Sequence, residues 1–418
     1  MNRYWKLLRE RDYALLWGGA TVSALGDGMS FVALVWLVIE RGGTAADIGW
    51  LSAVYTAPVI VGGIAAGIIL DRFDKRRVLA ADNLIRGLAI ASVPIADLLG
   101  VLTTTQLFVV AAIYGLLFMV SIAGLPSMIP ALVGDEDLNT ANAMESITYG
   151  IAGLIGPALA GVIIVAVGAS AVLAFDAVTY GVFVVCLLLM RSGGRNLVAH
   201  PVEVSAGIAP AVRFILGAPA IVAITVMYMC LNASSGIAIV LIPIYAKDVL
   251  LGGAQTFGLL LSVLTGGELL GLLAIGAIRW RWPLGRSIAA ATLITGLIRA
   301  VMIVRPDLIE MIVILAASGV AESSLTPWAQ TIRMRLIPPH LRGRVFALLR
   351  TSMQSPRPIG SILGGLLLVG GDLTAALVAQ ALLIVVPGAI GLWIPALGRG
   401  PTAEPATSQP ATAPAAGP

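Results

Sequence analysis

The sequence predicts an all-α membrane protein of twelve transmembrane helices in two six-helix halves, and three observations carry that prediction. Hydrophobic residues fill 58% of the 418 positions and charged residues only 11%, with a mean hydropathy of +0.97. A soluble domain carries about twice that share of charge. The apolar residues fall into about twelve runs, each near the ~20 residues needed to cross a ~30 Å hydrocarbon core. The basic residues concentrate in alternate connectors between those runs. The 47 Gly and 23 Pro fit membrane helices, whose neighbours satisfy the freed backbone groups. Soluble enzymes and nucleic-acid binders are excluded, because the net charge of +4 comes from short clusters between apolar runs. The expected surroundings are the lipid bilayer, with no nucleic acid.

The runs lie near 13–39, 47–70, 78–98, 104–130, 141–167, 169–190, 218–247, 255–278, 286–305, 308–332, 344–370 and 373–395. The first is about twice as long as a signal-peptide core and lacks a convincing cleavage pattern, so it reads as an uncleaved first helix. With an even number of spans both termini share a side. One set of connectors holds 19 Lys and Arg, and the opposite set only Arg41, Lys247 and Arg305. By the positive-inside rule both termini are cytoplasmic, in a multi-pass protein of a bacterial plasma (inner) membrane. Residues 1–190 form the first half, 191–217 a cytoplasmic linker and 218–398 the second half. The Pro/Ala/Thr-rich tail 399–418 lacks the apolar residues to offset its ordering entropy and is expected to be disordered. An internal repeat supports the halves: Leu138 maps onto Leu341, Gly156 onto Gly360 and Gly161 onto Gly365. One chain holding both halves suffices as a functional monomer.

Two motifs stand out. Between spans two and three, GIILDRFDKRR (67–77) places Gly67, Asp71, Arg72, Lys75 and Arg76 in a short loop. Gly67 permits close helix contact, Asp71 can face the positive end of a helix, and the basic residues can pair across the two halves. The corresponding RWRWPLGR (279–286) keeps charge but lacks the Asp-Arg pair. In the fifth span, GIAGLIGPALAG (150–161) spaces Gly153, Gly156, Pro157 and Gly161 for close packing and a kink.

With ADNLIRG (81–87), LNTANAM (138–144) and PPHLRGRVFAL (338–348), these segments resemble the enterobactin-exporter and macrolide-efflux branch of the major facilitator superfamily, over residues 10–395. The resemblance implies the major facilitator fold and drug:proton antiport. It also implies a loop motif that latches the outward-facing state and a kinked fifth helix packed against the other half. Two departures matter. Asp74 stands where the loop motif usually has a second glycine, and the fourth span (106–128) has no arginine, so a proton-relay arginine cannot be carried over to it.

Charges deep in the apolar runs are the candidate functional residues, since each costs about 2.5 to 3.5 kcal/mol at a helix centre unless paired or hydrated. Asp27, about 20 Å into the first helix, has no base within one turn and is a candidate proton or substrate site. Asp176, Glu268, Arg299, Glu322 and Arg357 complete the proposed proton and substrate cavity. Asp82 and Arg86, at i and i+4 with the acid first, are expected to neutralise each other, and Glu145 to serve a gate or structural role. Trp36, Tyr114 and Tyr149 are expected on an apolar cavity wall. Cys186 and Cys230 form no CxxC site, and His200 and His340 stand apart from other ligand types, so neither metal nor cofactor is expected. The proton gradient is the expected energy source.

The function so read is export of an amphiphilic small molecule, such as a drug, macrolide or siderophore, by proton antiport through alternating access. The alternatives within transport are an uptake permease or a lysolipid flippase. A membrane enzyme or receptor would need a catalytic cluster or a sensory domain, and the longest connector, 191–219, holds one acidic residue, Glu203.

Overall fold

The computed structural model describes residues 2–191, 208–278 and 280–398. The expectations for linker residues 192–207, for Arg279 and for the tail 399–418 lie outside the described residues. Among the described residues the chain is helical, with no strand. Helix α1 (Asn2–Arg9) precedes α2 (Arg11–Glu40), α3 (Ala45–Thr56), α4 (Pro58–Arg72), α5 (Lys75–Leu98), α6 (Thr104–Met128), α7 (Leu138–Val167) and α8 (Ala169–Leu189). Beyond the linker follow α9 (Ala209–Leu216), α10 (Pro219–Ile244), α11 (Gly253–Ala277), α12 (Leu284–Ala300), α13 (Leu308–Ser323), α14 (Leu325–Leu336), α15 (Arg342–Gln354), α16 (Pro356–Val369) and α17 (Leu373–Trp393).

Among the described residues ten helical stretches are long and apolar enough to cross a membrane: α2, α5, α6, α7, α8, α10, α11, α12, the α13–α14 stretch and α17. The expected runs 47–70 and 344–370 are helical but divided, at Ala57 between α3 and α4 and at Ser355 between α15 and α16. In each case a proline, Pro58 or Pro356, opens the second helix. Its ring lacks an N–H and crowds the carbonyl four residues earlier, which interrupts the ladder. The run expected at 308–332 is likewise divided at Ser324, just before Pro327, and continues to Leu336. Outward-facing Val165, Val178, Leu188, Leu273 and Ile390 are each more than half exposed. That surface suits hydrocarbon, not water.

Helices α2–α8 pack into an N-terminal bundle and α10–α17 into a C-terminal bundle. The turns far from the chain termini are tight: Gly168 alone, at φ +89°, joins α7 to α8. We call this the distal side, and the opposite one the terminus side. The bundles are joined chiefly by two helix pairs, α3 with α16 and α7 with α11, with smaller contacts of α3 with α10 and α2 with α11. The first is close-packed where Gly49 meets Ser361 and Gly365, and the second where Gly258 meets the Pro157 carbonyl and Gly161 meets Ala254 and Gln255. Both seams lie in the distal half. Toward the terminus side α4, α14 and α15 pack principally within their own bundles, so the structure is closed distally and parts on the terminus side.

The glycines of the internal repeat occupy equivalent places. Gly156 lies against Gly28 on α2, and Gly360 against Ala233 on α10. Gly161 lies against α11, and Gly365 against Ala45 and Ala46 on α3. Each repeat unit thus contributes one helix that packs inward on its own bundle and outward on the other.

Candidate functional site

The N-terminal bundle buries a polar cluster drawn from four helices. Arg86 on α5, 1% exposed, donates from Nη2 to Asp82 Oδ2 at 2.7 Å and to Ser121 Oγ on α6 at 2.6 Å. Its Nη1 donates to the Tyr180 hydroxyl on α8 at 3.1 Å and lies 3.6 Å from Asp27 Oδ1 on α2. Tyr180 in turn donates to Asp27 Oδ1. The guanidinium sits over the rings of Tyr180 and Tyr114, at 4.8 and 5.6 Å from their centroids, an arrangement that offsets part of its desolvation. A cavity between Ser23, Phe118, Ser121 and Tyr149 reaches Asp27 and Arg86.

Asp176 on α8 lies beside this cluster, fully buried, and accepts from Ser30 and from Thr179 at 2.9 Å rather than from a cation. Local sequence explains how α2 seats both acids. Asp27 is flanked by two glycines; a Cβ at Gly26 would strike Asp176 and Thr179, and one at Gly28 would lie 2.6 Å from the Ala152 carbonyl of α7. The three consecutive residues thus meet α8, α5 and α7. With its acids ionised, the group Asp27, Asp82, Asp176 and Arg86 carries a formal charge of −2.

The C-terminal bundle is balanced. Arg299 on α12 pairs with Glu322 on α13 at 2.6 Å and donates from Nε to Ser318 Oγ at 2.8 Å. Glu268 on α11 and Arg357 on α16 are half-buried, and among the described residues neither side chain makes a hydrogen bond or ion pair. By the repeat contacts, in which Gly28 and Ala233 correspond, the counterpart of Asp27 is Asn232, a neutral amide.

Between the bundles, Pro157 kinks α7 and the next amide, Ala158 N–H, donates to Ser262 Oγ on α11 at 3.0 Å. Gly153 faces Thr265, and Gly258 approaches the Pro157 carbonyl. All four predicted fifth-helix residues therefore lie on packed faces, Gly153, Pro157 and Gly161 toward the other bundle and Gly156 toward α2.

Residues 3–414 match the transmembrane secretion effector family. The chain belongs to this family of the major facilitator superfamily. The transporter is 28% identical over 396 residues to the multidrug efflux pump Tap of Mycobacterium tuberculosis, covering 90% of this chain and 91% of that protein. It is 23% identical to macrolide efflux protein A of Streptococcus pyogenes, covering 88% and 91%. Among solved structures, the nucleoside transporter NupG superposes with a TM-score of 0.74 at 13% identity, covering 91% of this chain and 98% of that one. A bacterial homologue of the iron transporter ferroportin, in an inward-facing state, gives 0.73 at 17% identity, covering 94% and 100%. These likenesses show the fold.

In this transporter the residues of the loop motif show no contact with the other bundle among the described residues. A Cβ at Gly67 would meet open space, so the close contact expected there is absent, and Asp71 and Arg72 are exposed without a bonded partner. The parting of the bundles on this side is the physical reason. Lys75 donates to the Ser127 carbonyl at 3.1 Å and Arg76 to the Met190 carbonyl, so both brace the loop within their own bundle. Asp74, at φ −59°, caps α5 by accepting from Arg77 N–H at 2.9 Å, and needs no glycine.

Sequence reasoning missed the reach of Arg86, which was paired with Asp82 alone, and missed Tyr180 and Ser121 altogether. The i,i+4 spacing identified one bond of a guanidinium that has five donors; its spare faces were the available signal. Tyr114, expected on a cavity wall, is 2% exposed and belongs to the cluster instead, while Tyr149 does line the cavity. No group of three or more His, Cys, Asp or Glu is placed to hold a metal ion among the described residues.

Proposed function

We propose that this transporter exports amphiphilic small molecules by exchanging them for protons through alternating access. The observation that carries the reading is the acid-rich N-terminal cluster, in which the half-buried Asp27 and the buried Asp82 share one guanidinium with the buried Asp176 beside them, in a chain whose relatives include a multidrug efflux pump. A second and third buried negative charge is costly in a low-dielectric interior, and a proton on one of them relieves it. Asp27 is the exchangeable member, because it alone borders the cavity while sharing Arg86 with Asp82. Protonating Asp27 weakens its hold on Arg86 and Tyr180, and Gly28 beside it transmits a shift of α2 to the kinked α7.

In this reading the divided stretches α3–α4 and α15–α16 are the second and eleventh of twelve crossings in two six-helix halves. The terminus side is cytoplasmic, the membrane is the bacterial plasma membrane, and a monomer suffices. The structure then corresponds to the inward-open state, in which the Asp71 latch is released.

The test is dye and macrolide accumulation in efflux-deficient bacteria, with and without a protonophore, beside Asp27→Asn at matched membrane expression. Export predicts low accumulation that both the protonophore and the substitution raise about tenfold or more. Wild-type efflux by a correctly inserted Asp27→Asn protein removes that residue from the coupling.

A further inference from the structure

We propose that Glu268 and Arg357 form the polar end of the substrate site, and that the exported amphiphile is zwitterionic, Arg357 receiving its anionic group and Glu268 its ammonium-type group. The proposal rests on the export reading above and adds the chemical class of the cargo.

Most of the charges within the apolar helices are already committed. Arg86 holds Asp82 and Asp27, Asp176 takes two hydroxyls, and Arg299 holds Glu322. Arg333 lies over the Tyr228 ring, 5.4 Å from its centroid. Glu268 and Arg357 have no bond, and Arg357 Nε is buried without an acceptor. Glu145 is also unbonded, but it lies only two turns from the terminus-side start of α7.

Both uncommitted groups stand on the two C-terminal helices that form the seams with the N-terminal bundle. Glu268 lies between Thr265 and Leu269, which face Gly153 and Gly150 of α7. Arg357 is one turn from Ser361, whose carbonyl meets Gly49 of α3. Arg357 is within electrostatic range of Tyr55 on α3 and of Glu268 and Glu322, and Glu268 of Arg299 and Arg357. Two opposite charges thus stand within range of each other in a low-dielectric place, yet apart. Each unpaired charge is costly there, and a ligand carrying both signs at a matching separation satisfies both together. A ligand that is only cationic leaves the Arg357 donors unmet, the kind of mismatch that discriminates strongly in a buried site. Apolar walls accept the remainder of the molecule.

The experiment uses the full chain in lipid nanodiscs and the dyes rhodamine B and rhodamine B ethyl ester, which differ in whether the carboxylate is free. Binding is read by fluorescence anisotropy without any ion gradient. The expected result is at least tenfold tighter binding of the free acid. Arg357→Gln should reduce the acid to the affinity of the ester and leave the ester unchanged, Arg357→Lys should keep part of the preference, and Glu268→Gln should weaken both dyes. Equal affinities in the wild-type chain overturn the proposal, as does the absence of binding by either dye. If the two residues serve only as partners for each other in the opposite state, the acid-to-ester ratio is near one, and that outcome also overturns it. A chain that binds the acid through Arg357 but fails to lower dye accumulation in cells contradicts the export reading and leaves the site standing.

Discussion

Ser262→Ala tests the distal seal between the bundles. The Ser262 hydroxyl accepts the Ala158 amide across the seam at 3.0 Å, next to the kink at Pro157. Separation of α7 from α11 breaks this bond, so it stabilises only the distally closed state. A hydrogen bond of this kind contributes about 0.5 to 1.5 kcal/mol net, and about 1.4 kcal/mol is a factor of ten in an equilibrium. The ratio of distally open to distally closed molecules should therefore rise roughly two- to tenfold. The assay is pulsed electron–electron distance measurement between spin labels on Leu99→Cys and Val304→Cys, with Cys186 and Cys230 replaced by serine. Both label sites lie at the distal ends of their bundles and are 70% and 77% exposed. Ser361→Ala is the control, because that hydroxyl bonds only to Arg357 O of its own helix at 3.1 Å. An unchanged distance distribution for Ser262→Ala, or an equal shift for Ser361→Ala, refutes the assignment of this bond to one state.

Three further outcomes follow from the same geometry. Arg86→Gln leaves Asp82 and Asp27 without their cation, a loss of about 3 to 5 kcal/mol when one partner of a buried pair is removed; thermal unfolding in detergent should fall, and adding Asp82→Asn should recover much of it. Asp71 is exposed and unbonded here, so Asp71→Asn should leave thermal stability unchanged while slowing turnover in proteoliposomes, and a clear drop in melting temperature contradicts a purely state-dependent latch. Lys6 on α1 donates to Asp137 at 2.6 Å, and that hydrogen bond, followed by the Asp137 charge, holds its ammonium above the ordinary value of 10.5. A raised lysine favours the folded form below that value and loses its contribution as pH rises through the shifted one, so α1 should resist proteolysis equally from about pH 6 to 9 in wild type and be cut faster in Lys6→Ala.

Much of this architecture was legible in the sequence because it depends on local composition. Span length, the charge asymmetry of the connectors and the Gly-Pro spacing of the fifth helix are properties of contiguous residues, and a bilayer makes each of them decisive. The repeat was legible for the same reason: Gly156 and Gly161 recur as Gly360 and Gly365 because equivalent helices meet equivalent neighbours. Division of the stretches at Pro58 and Pro356 was written in the sequence as well, but apolar run length alone passed over it.

The partners of the buried charges were not legible. Asp27 has no base within a turn of its own helix, and only the packing of α2, α5 and α8 brings Arg86 and Tyr180 to it. Arg86 looked complete with Asp82, since one helix displays only one of the faces a guanidinium can use. Asp176 and Arg357 share the label of buried charge, yet the first is held by hydroxyls and the second is left unbonded. The arrangement of the two bundles also lies outside the sequence: the exposure of Asp71 and the bond from Ala158 to Ser262 depend on how separate helices meet. Sequence therefore determined the membrane class, the long apolar helical stretches and which of them carry charged residues, because hydrophobic length and charge cost act along one helix. Tertiary structure alone decided which charges neutralise one another and which remain unpaired, because pairing needs side chains from different helices within a few ångströms.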